Sequence, residues 1–192
     1  MRASTIRKGS ACVAETAAND IPVVSLTPCA PRGRINLRGD AGDPAFNEGV
    51  ASVIGVGPPS QANTATSGSG GVILWLGPDE WLIEVAAAAE SELAASLEST
   101  LSDLHAAVVV VGDAHITLAL SGPKAVEVLA KGMTLDLDPD HFPAGCCARS
   151  LLAKAPVLLH RPSVDFLYEV TVTRSFADYI SHWLRDAAVE YL

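Results

Sequence analysis

Aromatic residues make up only 5% of this 192-residue chain, which holds three Trp, three Tyr and four Phe. Cysteine is also scarce. Cys12, Cys29, Cys146 and Cys147 are few and irregularly spaced, which argues against a disulfide framework and for reduced thiols. No apolar run approaches the length of about 20 residues that crosses a bilayer as a helix. The opening stretch MRASTIRKGSACVAETAAND lacks an apolar core, so no secretory signal is expected and a cytoplasmic location is. Positive charge is missing from the middle. No Lys or Arg lies between Arg38 and Lys124, while Asp40, Asp43, Glu48, Asp79, Glu80, Glu84, Glu90, Glu92, Glu98, Asp103 and Asp113 do. Such a span repels phosphate backbones, which argues against nucleic-acid binding. It attracts a basic protein surface, or it serves solubility alone. The net charge is -9.

Catalytic signatures are missing too. His105, His115, His141, His160 and His182 form no pair at helical metal-ligand spacing, and no HExxH or CxxC occurs. Adjacent Cys146 and Cys147 cannot both aim at one ion; partly buried thiols at the start of a strand are expected. The run Ser67–Gly71, SGSGG, precedes a strand and has no Lys. A phosphate loop follows a strand and opens a helix, so a flexible connection is expected instead. No dinucleotide fingerprint is present. Asp136, Asp138 and Asp140 alternate but lack the glycine and distal Glu of a calcium loop, which leaves an acidic surface loop. Ser121-Gly122-Pro123 fits a helix start better than a nucleophile elbow. No catalytic, cofactor-binding or metal-ligating residue is therefore assigned.

What is present is a pattern that occurs twice. Residues 1–31 read as an extended arm with one apolar island, Ile21-Pro22-Val23-Val24. RINLRG then alternates like a strand. Asp43-Pro44 opens a helix with Phe46, Val50, Val53 and Ile54 on one face, and Gly55 stops it. A loop runs to Gly71, and a hairpin follows with strands at Val72–Leu76 and Trp81–Val85. Leu93, Leu97, Leu101 and Leu104 line the next helix. The run Ala107–Val111, AVVVV, reads as a buried strand.

HITLAL starts the pattern again. A helix follows with Val126, Leu129 and Ala130 inward and Gly132 at its end. Strands are expected at Arg149–His160 and Phe166–Thr173. The last helix is read as capped by Ser175 with Asp178, and striped by Phe176, Ile180, Trp183, Ala187 and Tyr191. The fold class is thus α+β: two tandem split β-α-β-β-α modules about a pseudo-twofold. Residues 32–192 form one duplicated domain, with repeats near 32–105 and 106–192.

The segment Leu74–Ile83, LWLGPDEWLI, holds two of the three tryptophans. Trp75 and Trp81 are equidistant from the turn, so they lie opposite each other on one face. Both fill the core, or one anchors an interface. Trp75, Asp79, Glu80, Trp81, Arg174 and Trp183 are the candidate interface or structural residues.

LRGD, ILWLGPDEWLI, LALSGPKAVEVLAKGMTLDL and RSFADYISHWLRDA resemble the gamma subunit of heterotetrameric sarcosine oxidase, over Pro31 to Leu192. Gly77–Trp81 and Arg174–Ala177 carry the likeness most specifically. That family is related to the folate-binding aminomethyltransferases, whose duplicated architecture agrees with the repeat. The resemblance implies a complex that oxidatively demethylates sarcosine to glycine, yielding hydrogen peroxide and, with tetrahydrofolate, 5,10-methylenetetrahydrofolate. It places FAD, FMN, NAD and tetrahydrofolate on larger subunits and zinc on the smallest. Alpha, beta and delta subunits are the implied partners, and this chain is a non-catalytic assembly subunit. Folate-using relatives carry Gly-Tyr-Thr-Gly-Glu after an arginine; here Arg161 precedes Pro162-Ser163-Val164-Asp165-Phe166. A stand-alone folate-dependent one-carbon transferase, or a scaffold for another N-methyl amine oxidase, stays open as an alternative.

Overall fold

In the computed structural model, residues 23–191 are described. Most of the expected arm, with Cys12 and Ile21-Pro22, lies outside them, as does Leu192. Strand β1 (Ser25–Pro28) leads to β2 (Arg32–Arg38) and helix α1 (Pro44–Ile54). The Asp43 carboxylate accepts the Ala45 N–H, Pro44 occupies the first turn, and Gly55 ends the helix at φ 86°. Next come β3 (Ala65–Gly68), β4 (Gly71–Gly77), β5 (Glu80–Ala86), α2 (Glu90–Thr100) and β6 (Ala107–Val110). The second half holds β7 (His115–Ser121), α3 (Ala125–Ala130), β8 (Cys147–Leu152), β9 (Ala155–His160), β10 (Leu167–Thr173) and α4 (Ala177–Ala188).

The strands form two five-stranded sheets, ordered β3-β4-β5-β2-β6 and β8-β9-β10-β7-β1. Read in parallel, the two orders are the same arrangement, and this is the predicted duplication. One feature of it exchanges between halves. β6 follows the first module in sequence and completes the first sheet through β2, whereas β1 precedes that module and completes the second sheet through β7. Helices α1 and α2 cover the first sheet around Phe46, Val50, Ile54 and Leu97. Helices α3 and α4 cover the second around Leu129, Ile180 and Leu184. Between the sheets lies a smaller apolar cluster of Leu74, Leu82, Cys147 and Leu158. Both faces of each sheet are therefore covered, and the polar side of an alternating strand such as β2 points into the molecule.

Several expectations need correction. The stretch 149–160 is not one strand: Ala153, at φ 52°, turns β8 back onto β9. The loop before Gly71 contains β3, and SGSGG is the tight turn joining it to β4. Gly71 sits at φ 152°, and a Cβ on Gly70 would press on the end of α1. AVVVV is not buried: β6 is an edge strand with Val109 and Val110 half-exposed. Ala130 points outward, while Ala125 and Val128 join Leu129 in the core. The last helix opens through a short 3-10 turn, Arg174–Phe176, with no side-chain cap, so Ser175 does not cap it.

Candidate functional site

Trp75 and Trp81 face each other across β4 and β5, as their spacing predicts. Trp81 is fully buried. Its ring lies 5.6 Å from that of Phe46, and its indole N–H donates to Pro59 O at 3.0 Å. Trp75 is half-buried and touches both the helical core and the cluster between the sheets. Asp79 is exposed at the turn, where its carbonyl accepts the Gly39 N–H. Glu80 is a junction. It takes a bidentate pair from Arg149 at 3.0 and 3.1 Å, the Asn36 amide at 2.9 Å and Arg38 at 3.4 Å. The Arg149 hydrogen bonds in particular hold its carboxyl at about 2, far below the usual range. Arg174 lies elsewhere, donating to Asp113 O at 3.0 Å. Trp183 packs half-buried on Gly132 under α4. The six residues therefore make no single site.

The most heavily charged buried group escaped sequence reading. Between the sheets, Arg34 Nε donates to Glu84 at 2.8 Å and Arg32 donates to both Glu84 and Glu169 at 2.7 Å. Arg34 also reaches Thr117 Oγ1 at 2.5 Å, and Thr117 bonds Thr171 at 2.7 Å. His160 Nδ1 stands 3.5 Å from Glu169. Arg34 and Glu84 are cross-strand partners on β2 and β5; Thr117 and Thr171 hold the equivalent places on β7 and β10. The network thus straddles the pseudo-twofold and ties one sheet to the other. The available signal was Arg32 and Arg34 at alternate positions, both of which a one-sided strand would send to solvent.

Burial pushes the Cys147 thiol up to about 12, and its Sγ rests 3.3 Å from Thr64 O, so it is no thiolate nucleophile. Among the described residues, no three or more His, Cys, Asp or Glu side chains are placed to hold a metal ion. No helix among the described residues is long and apolar enough to cross a membrane either. Arg161 is buried, donates to Phe142 O at 2.7 Å and lies over the Tyr168 ring. The Arg161 Nη1 is thus occupied while its buried Nε has no partner among the described residues, and the turn after it exposes Val164 and Phe166 with no glycine for close backbone approach. A turn without that approach does not fit a folate site.

The profile of the sarcosine oxidase, gamma subunit family matches residues 38–190. The chain belongs to that family. Sarcosine oxidase subunit gamma from Corynebacterium sp. (strain P-1) is 36% identical over 169 residues, 88% of this chain and 81% of that protein. A chain of the heterotetrameric sarcosine oxidase from Corynebacterium sp. U-96, solved with pyrrole 2-carboxylate, superposes with a TM-score of 0.80 at 31% identity. That match covers 88% of this chain and 85% of that one. Aminomethyltransferase T of the glycine cleavage system from Bartonella henselae shares the fold, with a TM-score of 0.67 at 16% identity over 86% of this chain and 46% of that one. The gamma subunit therefore has the aminomethyltransferase-like α+β architecture, and the tie between its sheets is made of its own side chains.

Proposed function

We propose that this chain is the gamma subunit of a heterotetrameric sarcosine oxidase and contributes contact rather than chemistry. The observation that carries this is the interior between the sheets. Arg32, Arg34, Glu84 and Glu169 neutralise one another there. What these groups do is hold two sheets at a fixed distance. In the complex, alpha, beta and delta subunits are the partners. FAD, FMN, NAD, tetrahydrofolate and zinc belong to those chains, which supply the oxidation of sarcosine to glycine. The exposed acids Glu48, Glu92, Glu98 and Asp103 on and beside α1 and α2 have no basic neighbour in sequence and suit a basic partner surface.

The test is to express the tagged chain with its putative partners and purify through the tag. The expected result is a stable complex that oxidises sarcosine. A chain that stays monomeric and brings down none of the larger subunits would defeat this reading. Titrating the isolated chain with tetrahydrofolate while following tryptophan fluorescence separates it from a stand-alone transferase: no saturable change is expected in the micromolar range.

A further inference from the structure

The sequence and the surroundings of β6 disagree. Ala107–Val111 is an uncharged aliphatic run of the kind found in buried strands, yet Val109 and Val110 are 52% and 46% exposed. A run of that composition at an open sheet edge invites pairing. The pseudo-twofold supplies an internal comparison. β1 occupies the equivalent edge of the other sheet, and by register Thr27 and Pro28 stand where β6 has Val109 and Val110. Proline and a polar residue blunt β1, and β6 has neither.

The backbone of β6 is also oriented to receive a strand. The Val111 N–H donates to Arg34 O at 2.8 Å. Bonding alternates along an antiparallel pair, so Val109 and Val111 face β2, and the N–H and C=O groups of Val108 and Val110 face outward. Among the described residues, no backbone bond outside the helices and strands takes those groups up. On the groove side, Val109 and Val111 help line a cavity of about 360 Å³ that continues to Leu82 and to Val157 and Leu158 of the other sheet. Its wall includes Arg149, which shares the single Glu80 carboxylate with Arg38.

We infer that an extended, mainly aliphatic segment of a partner subunit adds to β6 as a sixth strand. One of its aliphatic side chains enters the groove. This rests on the gamma-subunit reading. Strand addition explains why the run has the composition of a buried strand: it is buried in the assembly.

The experiment compares the wild-type chain with Val110→Pro and Val109→Glu in the tag purification of the complex. Val110→Pro removes an outward N–H and leaves the β2 ladder intact. Val109→Glu puts a charge on the apolar groove lining that the segment's aliphatic side chain enters. Both variants are expected to keep the isolated chain's melting temperature and to retain roughly tenfold less partner subunit, equivalent to about 1.4 kcal/mol. The Val108 and Val110 amides of the wild type should exchange roughly tenfold more slowly in the complex than alone. If Val110→Pro does not fold, Val109→Glu and the exchange rates decide. Wild-type retention of partners by the variants, or unchanged exchange, overturns the inference while leaving the gamma-subunit reading intact. Self-association through β6, lost in Val110→Pro with the complex intact, overturns it in favour of a second copy. Failure of the wild type itself to bring down partners overturns both.

Discussion

Burial alone would raise the Glu169 carboxyl. The Arg32 guanidinium, with His160 beside it, outweighs burial and holds it at about 2 against an ordinary value of 4.5. A folded-state value below the unfolded one means stability that is fully present above the unfolded value and lost as pH falls toward the folded one. The chain should therefore keep its stability at neutral pH and lose it steeply between about 4.5 and about 2. Glu80, held near 2 by Arg149, acts in the same direction in the same window. Glu169→Gln removes one side of a part-buried pair whose arginine is 30% exposed, so it should cost about 1–2 kcal/mol at pH 7. It should also flatten the acid limb. Urea unfolding of both proteins at several pH values measures both effects. An unchanged acid limb in the variant would place the pH dependence elsewhere. The same residues show where sequence reading stops. Arg34 and Glu84 are charged, and charge in an alternating strand reads as solvent-facing. They are buried because a second sheet covers that face, and the linear pattern of β2 does not reveal which sheet.

At the scale of elements, local chemistry was legible where a residue type forces a backbone state. Asp43, Pro44 and Gly55 mark both ends of α1. The Trp75–Trp81 pairing read from a centred turn is present, but the turn closes at Gly77 and Glu80, and a register shift between Trp75 and Gly77 brings the tryptophans opposite. The β8–β9 hairpin was hidden because its turn is Ala153-Lys154, with no glycine or asparagine to announce it. Gly132 follows the cap of α3, at the helix end where its type places it, and the structure adds a second role: a Cβ there would overlap the Trp183 ring. Ala153 carries a testable consequence. An L-residue in the left-handed region is strained by roughly 1–2 kcal/mol. Ala153→Gly relieves that strain and gives back part of it in unfolded-state entropy. The expected net gain is about 0.5–1 kcal/mol, seen as a small rise in melting temperature. A fall would mean that the Ala153 methyl packs well enough to offset its backbone. The strand read as buried, β6, was misplaced for the opposite reason, since composition reports the environment of the whole assembly and the isolated chain supplies only one side of it.

The whole molecule is two modules that cannot be cut apart at the repeat boundary. The duplication places a division near residue 105, yet β6 lies beyond that point and completes the sheet before it. β1 lies before that point and completes the sheet after it. A fragment of residues 23–105 would leave β2 as a raw edge and β1 with nothing to pair. A fragment of residues 106–191 would leave β7 open and β6 stranded. Each would also expose its half of Leu74, Leu82, Cys147 and Leu158, and would strip the buried Arg34 or Glu169 of a partner on the other sheet. Glu169 without Arg32 is a largely buried charge that has lost its partner, worth about 3 kcal/mol, and the lost strand pairing and exposed apolar cluster add to it against a domain's net stability of about 5–15 kcal/mol. Neither fragment should fold alone, and the two mixed together should regain native near-ultraviolet circular dichroism. The intact chain should unfold in one calorimetric step, with calorimetric and van't Hoff enthalpies equal. Dispersed amide spectra from either fragment by itself would show that the crossed strands are accessory, and that each sheet is stabilised by its own helices.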